Sequence, residues 1–140
     1  MNIKEYIKEQ RLITDGAMGT YYEEKYSEDT VIAEKENLKN PEQIKEIHLE
    51  YLRAGARLIR TNTFAANTMF LADMQEVKET VRAGYEIAKE AVTAFQAENG
   101  KEIPVFIGAD LGPIYDLDHQ DYDNVLQEYK EICDTFLCNL

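Results

Sequence analysis

The chain has few of the residues that common catalytic and metal sites need. Its 140 residues include two histidines, two cysteines and no tryptophan, and Ser27 is its one serine. A Ser-His-Asp triad is therefore not expected. Neither His-Glu-x-x-His nor Cys-x-x-Cys occurs, so the sequence predicts no zinc site within this chain. The glycines match neither G-x-G-x-x-G nor the phosphate-binding P-loop, which leaves nucleotide binding without its usual motifs.

Basic residues are scarce beside acidic ones. The 15 lysines and arginines stand against 27 aspartates and glutamates, which gives a formal net charge of −12. Binding to nucleic acid or to an anionic membrane is therefore not expected. No apolar run approaches the ~20 residues of a membrane-spanning helix, and the N-terminus lacks the apolar stretch of a secretion signal. A cytoplasmic location is therefore the default expectation. Because 44% of the residues are hydrophobic, we also expect the chain to fold around a core.

Three short apolar runs, each followed by a helical pattern, organise the chain. They cover residues 12–16, 57–64 and 103–110. The second and third runs follow Gly55 and Gly100, which stand where helix C-caps are expected. A strand followed by a helix, three times over, predicts a parallel sheet.

Apolar residues at three-and-four spacing predict three amphipathic helices. The first begins at Pro41 with Asn40 as its cap, the second runs from about Val77 to Glu98, and the third runs from Asp123 past Leu137. Each helix should bury one stripe of side chains. In the first helix the stripe is Ile44, Ile47, His48, Tyr51 and Leu52; in the second it is Val81, Tyr85, Ala88, Val92 and Phe95; in the third it is Val125, Leu126, Tyr129, Cys133 and Phe136.

Two architectures fit this repeat: an open doubly wound sheet, and part of an eight-unit barrel that typically needs roughly 250 residues. The chain is too short to close a barrel, and its last helical pattern runs into Leu140 without a capping glycine, as a truncated domain would. In a partial barrel, core-facing residues such as Ile13, Leu58 and Ile107 would lack opposing strands. We therefore expect marginal stability and self-association through the uncovered sheet surface.

In both architectures ligands bind at the carboxyl ends of the strands. Residues 15–20 (D-G-A-M-G-T) place a carboxylate beside small residues. This pattern suits an amino-acid zwitterion whose ammonium binds Asp15. The alternative is a turn in which Asp15 accepts hydrogen bonds from backbone amides. Residues 61–67 (T-N-T-F-A-A-N) are rich in donors and acceptors, and the alternative there is a polar strand end followed by a helix cap at Asn67.

Two further features favour structural roles. His48 lies on the apolar face of the first helix, so we expect a half-buried packing residue with satisfied nitrogens and not a catalyst. The acidic residues between Asp116 and Asp123 fail the calcium-loop pattern, because Asp121 stands at its glycine position and Gln127 at its glutamate position. We expect a solvated loop with Asp121 or Asp123 capping the third helix.

Five motifs follow one another along the chain. They are residues 15–20, Asn37-Leu38 before Asn40-Pro41-Glu42, Ile47-His48 with residues 51–56, residues 61–64, and Gly112-Pro113. Taken in order, these motifs resemble the homocysteine S-methyltransferase family, and the resemblance covers nearly the whole chain. It implies a (β/α)8 TIM barrel, of which residues 1–140 would be the N-terminal portion with about the first three strand-helix units. The pattern looks most like the homocysteine-binding modules of cobalamin-dependent methionine synthases and of forms fused to a methylenetetrahydrofolate reductase.

The resemblance implies methyl transfer to the sulfur of homocysteine, which gives methionine. In the family a zinc ion bound by three cysteines holds the sulfur as a thiolate, and those cysteines would lie beyond Leu140. Cys133 and Cys138 are not their equivalents. Cys133 fits the apolar stripe and Cys138 is peripheral, so we expect packing residues or incidental thiols. The 140-residue chain alone should be inactive. The methyl donor stays open among methylcobalamin, methyltetrahydrofolate and S-methylmethionine.

By the same resemblance, Asp15 matches the aspartate that holds the homocysteine ammonium, and the amides that follow it match those that meet the carboxylate. Ala65 stands where the betaine-using branch has tyrosine, which argues against betaine as the donor. Whether Asp110 touches substrate stays open. The expected substrate-binding residues are Asp15, Gly16, Ala17, Met18, Thr61, Asn62 and Thr63.

Two other classes of function remain. One is a non-catalytic α/β binding or oligomerisation module that reuses three strand-helix units. The other is an unrelated open α/β enzyme with a nucleotide at the first strand-helix turn, and the missing glycine motif counts against it.

Overall fold

The computed structural model describes residues 2–27, 29–100, 102–115 and 121–138. Within these residues, four helices and a 3-10 turn precede the first of two short strands, and one helix follows each strand. The elements are α1 (Ile3–Glu9), α2 (Gly19–Tyr26), a 3-10 turn (Ala33–Lys35), α3 (Glu36–Lys39), α4 (Pro41–Arg53), β1 (Leu58–Arg60), α5 (Met74–Asn99), β2 (Phe106–Gly108) and α6 (Tyr122–Leu137).

The three apolar runs lie side by side and point the same way. β1 and β2 are parallel, with Ile59 opposite Ile107. The first run joins them through a parallel bridge between Thr14 and Leu58, so β1 lies in the middle. This confirms the predicted parallel arrangement, although each regular strand has three residues and is shorter than the apolar run around it.

Helices α4, α5 and α6 confirm the three predicted helices, and the caps refine their starts. Asp73 caps α5 by accepting a hydrogen bond from the Glu76 amide, so this helix begins at Met74. Asp121 caps α6, as predicted. Asn40 holds the cap position of α4, but its side chain makes no capping bond and instead donates to the Glu36 carboxylate.

Helices α4 and α5 cover the side of the sheet that carries Ile59. Ile59 packs there with Leu52, Ala88 and Phe95, and Ile107 packs against the same cluster. Because side chains alternate along a strand, Leu58 and Arg60 lie on the other side. Ile13 is 58% exposed, as predicted. Because its neighbour Thr14 pairs with Leu58, Ile13 lies on the Ile59 side of the sheet, in the edge segment beside β1. The prediction that Ile107 lacks cover is wrong, because that side chain packs against the helices.

Helix α6 buries a narrower stripe than predicted. Ile132 and Phe136 pack against the Val77 and Val81 side of α5, one turn apart. Leu126 and Cys133 are exposed, and Cys133 and Cys138 are both free thiols. The prediction that Cys133 packs in the buried stripe is therefore wrong, because α6 packs against α5 along one narrow row of side chains.

The helices within the described ranges are too short or too polar to span a lipid bilayer.

Candidate functional site

A cavity of about 370 Å³ lies at the carboxyl ends of the three parallel segments. Its walls come from the loops that follow the first run and β1, from the 3-10 turn, and from the end of the third run. The lining residues include all seven residues expected to bind substrate. They add Asp110, which the sequence left open, and two charged side chains that the sequence did not predict, Glu34 and Arg60. The lining comprises Asp15, Gly16, Ala17, Met18, Gly19, Val31, Ile32, Ala33, Glu34, Arg60, Thr61, Asn62, Thr63, Phe64, Ala65, Phe70 and Asp110.

Asp15 forms an ion pair with Arg60 at the edge of this cavity. The Arg60 Nε atom donates to Asp15 Oδ1 over 2.9 Å, and the Arg60 backbone amide donates to Asp15 Oδ2 over 2.8 Å. The Asp15 side chain is 4% exposed. The hydrogen bond to Asp15 raises the pKa of the Arg60 guanidinium above its usual value. Each Asp15 carboxylate oxygen therefore accepts one hydrogen bond from Arg60.

Asp110 lies near the Nη1 atom of the same guanidinium, whereas Asp15 binds its Nε atom. The Asp110 Oδ2 atom is 3.6 Å from Arg60 Nη1. Burial raises the pKa of the Asp110 carboxyl and nearby Asp15 adds to that rise, while Arg60 opposes both. The site therefore places two acidic groups around one cation, and negative charge predominates in the cavity.

The backbone after Asp15 presents unpaired amide groups. The N–H groups of residues 16–18 have no hydrogen-bond partner among the residues that the structure describes. The loop is held from behind by Tyr51, whose hydroxyl donates to the Ala17 carbonyl over 2.6 Å. A Cβ at Gly16 would lie 2.8 Å from that hydroxyl oxygen, so glycine allows this close approach. Accessible amides beside a cavity are suited to an anionic group.

Thr61 and Thr63 bind each other and the third run. Thr63 donates to the Asp110 carbonyl over 2.7 Å, and the Asp110 amide donates to Thr61 Oγ1 over 3.1 Å. The two hydroxyl oxygens are 2.7 Å apart. Because the single Thr63 proton points to Asp110, Thr61 donates to Thr63. Both hydroxyls thus hold the strand ends together, although both residues line the cavity.

Asn62 anchors the same strand end to the helices. Its amide group donates to the Ala33 carbonyl and to Asn37 Oδ1, each over 2.8 Å. Asn37 returns a bond to the Asn62 carbonyl over 2.8 Å and donates to the Thr80 carbonyl over 3.1 Å. Gly84 of α5 packs against this network, where a Cβ would lie 2.8 Å from Asn37 Nδ2. This network therefore holds the Asn62 strand end against α3 and α5.

Glu34 is a buried carboxylate of the cavity that sequence reasoning missed. It is 7% exposed, and its Oε1 atom accepts from the Ala65 amide over 2.8 Å. Its other oxygen has no partner in the described part of the chain. In the sequence Glu34 stands in a charged run beside Lys35 and Glu36, which resembles a solvated loop and carries no signal of burial.

Asn67 and His48 also differ from their predicted roles. Asn67 Oδ1 accepts from the Met69 amide within a turn, and the helix that follows is capped by Asp73. His48 is fully buried, and neither ring nitrogen has a partner among the described residues. Burial lowers the pKa of His48 to about 4. The expectation of a half-buried histidine with hydrogen-bonded nitrogens is wrong, because the whole ring lies on the buried face of α4.

The described residues do not fit a zinc site. They contain no group of three or more histidine, cysteine, aspartate or glutamate side chains arranged to hold a metal ion. Cys133 and Cys138 are exposed on and after α6 and do not line the cavity. Residues 116–120, which include Asp116, Asp118 and His119, lie outside the described residues.

Comparisons with known proteins place this chain in one family. The sequence model of homocysteine S-methyltransferases matches residues 12–139. The homocysteine S-methyltransferase of Escherichia coli K12 is 32% identical over 112 residues, which cover 76% of this chain and 36% of that protein. A methionine synthase of Mycobacterium leprae is 26% identical over 144 residues, covering 93% of this chain and 12% of that protein.

The structural comparison agrees with the sequence comparisons. The crystal structure of the homocysteine methyltransferase MmuM from E. coli in its metallated form matches with a TM-score of 0.78 and 26% identity, covering 94% of this chain and 51% of that one. The chain thus spans about half of MmuM and shares its α/β fold. It belongs to the homocysteine S-methyltransferase family.

Proposed function

We propose that this chain supplies the amino-acid-binding part of a homocysteine S-methyltransferase, which transfers a methyl group to the sulfur of homocysteine and gives methionine. Its three strand segments would be the first strands of a (β/α)8 barrel, of which residues 1–140 form the N-terminal portion. The observation that carries this proposal is the cavity at the strand ends. There the Asp15 carboxylate lies beside three backbone amides that have no hydrogen-bond partner in the described ranges.

The two ends of an amino acid find complementary groups in this cavity. The ammonium would bind the remaining lone pairs of Asp15, since each carboxylate oxygen accepts about two hydrogen bonds and one per oxygen is in use. The carboxylate would meet the amides of Gly16, Ala17 and Met18. Thr61 and Thr63 hold the strand ends in place and support the site through the backbone. Charge-assisted bonds of this kind contribute more than neutral ones.

The reacting sulfur would lie at the open end of the site. A zinc ion, as the family resemblance implies, would hold the homocysteine sulfur as a thiolate and so keep it nucleophilic at neutral pH. The described residues do not fit that ion, and we propose that its cysteines lie beyond Leu140. The role of this chain in the cytoplasmic enzyme is then to bind and orient the substrate, and the chain alone would transfer no methyl group.

Calorimetric titration of the chain with L-homocysteine tests the proposal. Asp15→Asn keeps the shape of the side chain and removes its charge, and we expect it to weaken binding at least about tenfold, as loss of one charge-assisted hydrogen bond would. Asp134→Asn removes a carboxylate from an exposed position on α6 and should leave the affinity unchanged. Equal affinities for Asp15→Asn and the wild type would favour the alternative of a non-catalytic binding module.

We also propose that the chain self-associates through the uncovered surface of its sheet. Ile13, in the edge segment that pairs with β1, is 58% exposed, and parallel sheets are normally covered on both faces. Sedimentation velocity at rising concentration should show a shift to larger species, and Ile13→Lys should reduce it. A chain that stays monomeric at millimolar concentration would contradict this proposal.

A further inference from the structure

The cavity has one cationic side chain among the residues that the structure describes. Arg60 stands there against three carboxylates, those of Asp15, Glu34 and Asp110. The carboxylate of a zwitterionic ligand would be repelled by all three, and the repulsion grows where water is partly excluded. An anionic group that enters this cavity is therefore most favourably placed against Arg60.

The Arg60 guanidinium keeps donors free for such a group. Of its five N–H groups, one on Nε binds Asp15 and one on Nη2 binds the Gly16 carbonyl over 2.9 Å. The distance of 3.6 Å from Nη1 to Asp110 is longer than a hydrogen bond. Three N–H groups, all on Nη1 and Nη2, thus lack a hydrogen-bond partner within the described ranges. The Arg60 side chain is 43% exposed.

The protein also fixes the orientation of this guanidinium. Asp15 binds both the backbone amide and the Nε atom of Arg60, and the Gly16 carbonyl holds Nη2. Little side-chain freedom remains to be lost when a ligand binds. Asp110 lies 3.6 Å from Nη1, too far for a hydrogen bond, so the Nη atoms still offer donors. A planar guanidinium with such donors matches the two oxygens of a carboxylate.

We propose that Arg60 binds the carboxylate of the substrate together with the amides of residues 16–18. Asp15 then has two tasks: it contacts the ammonium, and it is the positioning residue for Arg60. This inference rests on the proposed function and deepens it, because it adds a side chain that selects α-amino acids over simple amines.

Two ligands separate the carboxylate contact from the rest of the site. L-Homocysteine carries the carboxylate, and 3-aminopropane-1-thiol has the same chain, thiol and ammonium without it. The measured quantity is the ratio of their dissociation constants, by calorimetry on the 140-residue chain. Changes at the ammonium site affect both ligands and cancel in this ratio.

We expect the wild type to bind homocysteine at least about tenfold more tightly than the amine, as loss of charge-assisted hydrogen bonds predicts. In Arg60→Gln the ratio should fall severalfold toward one, because only the amides of residues 16–18 still contact the carboxylate. Arg53→Gln removes an arginine that pairs with Glu46 and Glu98 on the exterior, and it should keep the wild-type ratio. Arg60→Lys keeps the charge but not the planar fork, so an intermediate ratio is expected, and this variant decides the question if Arg60→Gln does not fold.

A wild-type ratio near one, or an unchanged ratio in the Arg60 variants, would overturn the role of Arg60 while homocysteine binding itself stands. Failure of the wild type to bind either ligand would overturn the proposed function instead.

Discussion

Acidification should destabilise this protein through one residue of its core, His48. The ring is fully buried on α4, and both nitrogens lack partners among the described residues. Burial lowers the pKa of His48 to about 4, from 6.5 in the unfolded chain. Protonation therefore favours the unfolded state at every pH between these two values. The contribution to stability is complete above pH 6.5 and is lost as the pH falls toward 4.

The size of the effect follows from the two pKa values. One pKa unit corresponds to about 1.4 kcal/mol, so the interval from 6.5 to about 4 corresponds to roughly 3 kcal/mol. For a domain whose stability is on the order of 5–15 kcal/mol, this loss is large. His48→Leu removes the titration and the two unpartnered nitrogens, so the variant should be at least as stable as the wild type at pH 7.

Urea denaturation of the wild type and His48→Leu, at pH 7.0, 5.5 and 4.5, tests this reasoning. The carboxylates titrate in both proteins, so the difference between their free energies of unfolding isolates His48. That difference should move in favour of His48→Leu by roughly 2–3 kcal/mol between pH 7.0 and 4.5. Parallel pH profiles for the two proteins would refute the account of a buried neutral ring.

Three glycine substitutions test the close contacts around the cavity by the same denaturation assay. Gly84→Ala places a Cβ 2.8 Å from Asn37 Nδ2, so overpacking should outweigh the gain of about 1 kcal/mol in helix propensity and cost about 1–2 kcal/mol net. Gly112→Ala places a Cβ 2.3 Å from the Phe64 carbonyl oxygen and should cost about 2 kcal/mol or more. Gly19→Ala meets nothing within 4 Å and should stay within about 0.5 kcal/mol of the wild type. Equal effects at all three positions would contradict this steric account.

The parallel order of the strands and the three long helices followed from the sequence because each has a local signal. Apolar runs ending in glycine or polar turns indicated the strands, and three-and-four spacing indicated α4, α5 and α6. The two early helices carry weaker signals. α1 has seven residues and buries only Tyr6, and α2 has eight and buries only Tyr22. A helix that buries one side chain leaves no periodic stripe to read.

The site was only partly predictable, for a physical reason. Asp15 and the polar strand end could be located because they follow apolar runs. The pairing of Asp15 with Arg60 joins residues 45 positions apart, and no local pattern specifies which cation meets which carboxylate. Glu34 is buried because the 3-10 turn folds over the cavity, and His48 is fully enclosed because α2, α3 and α5 surround α4. Both outcomes depend on tertiary packing.

The most direct test of the central claim is an NMR titration of the 15N-labelled chain with L-homocysteine. The account predicts that the amides of Gly16, Ala17 and Met18 shift most, together with the Arg60 side-chain Nε–H. A second cavity, of about 400 Å³, lies between α2 and α4 beside Tyr21 and Tyr51. Shifts confined to that cavity, or no shifts at millimolar homocysteine, would contradict the claim that the strand ends bind this amino acid.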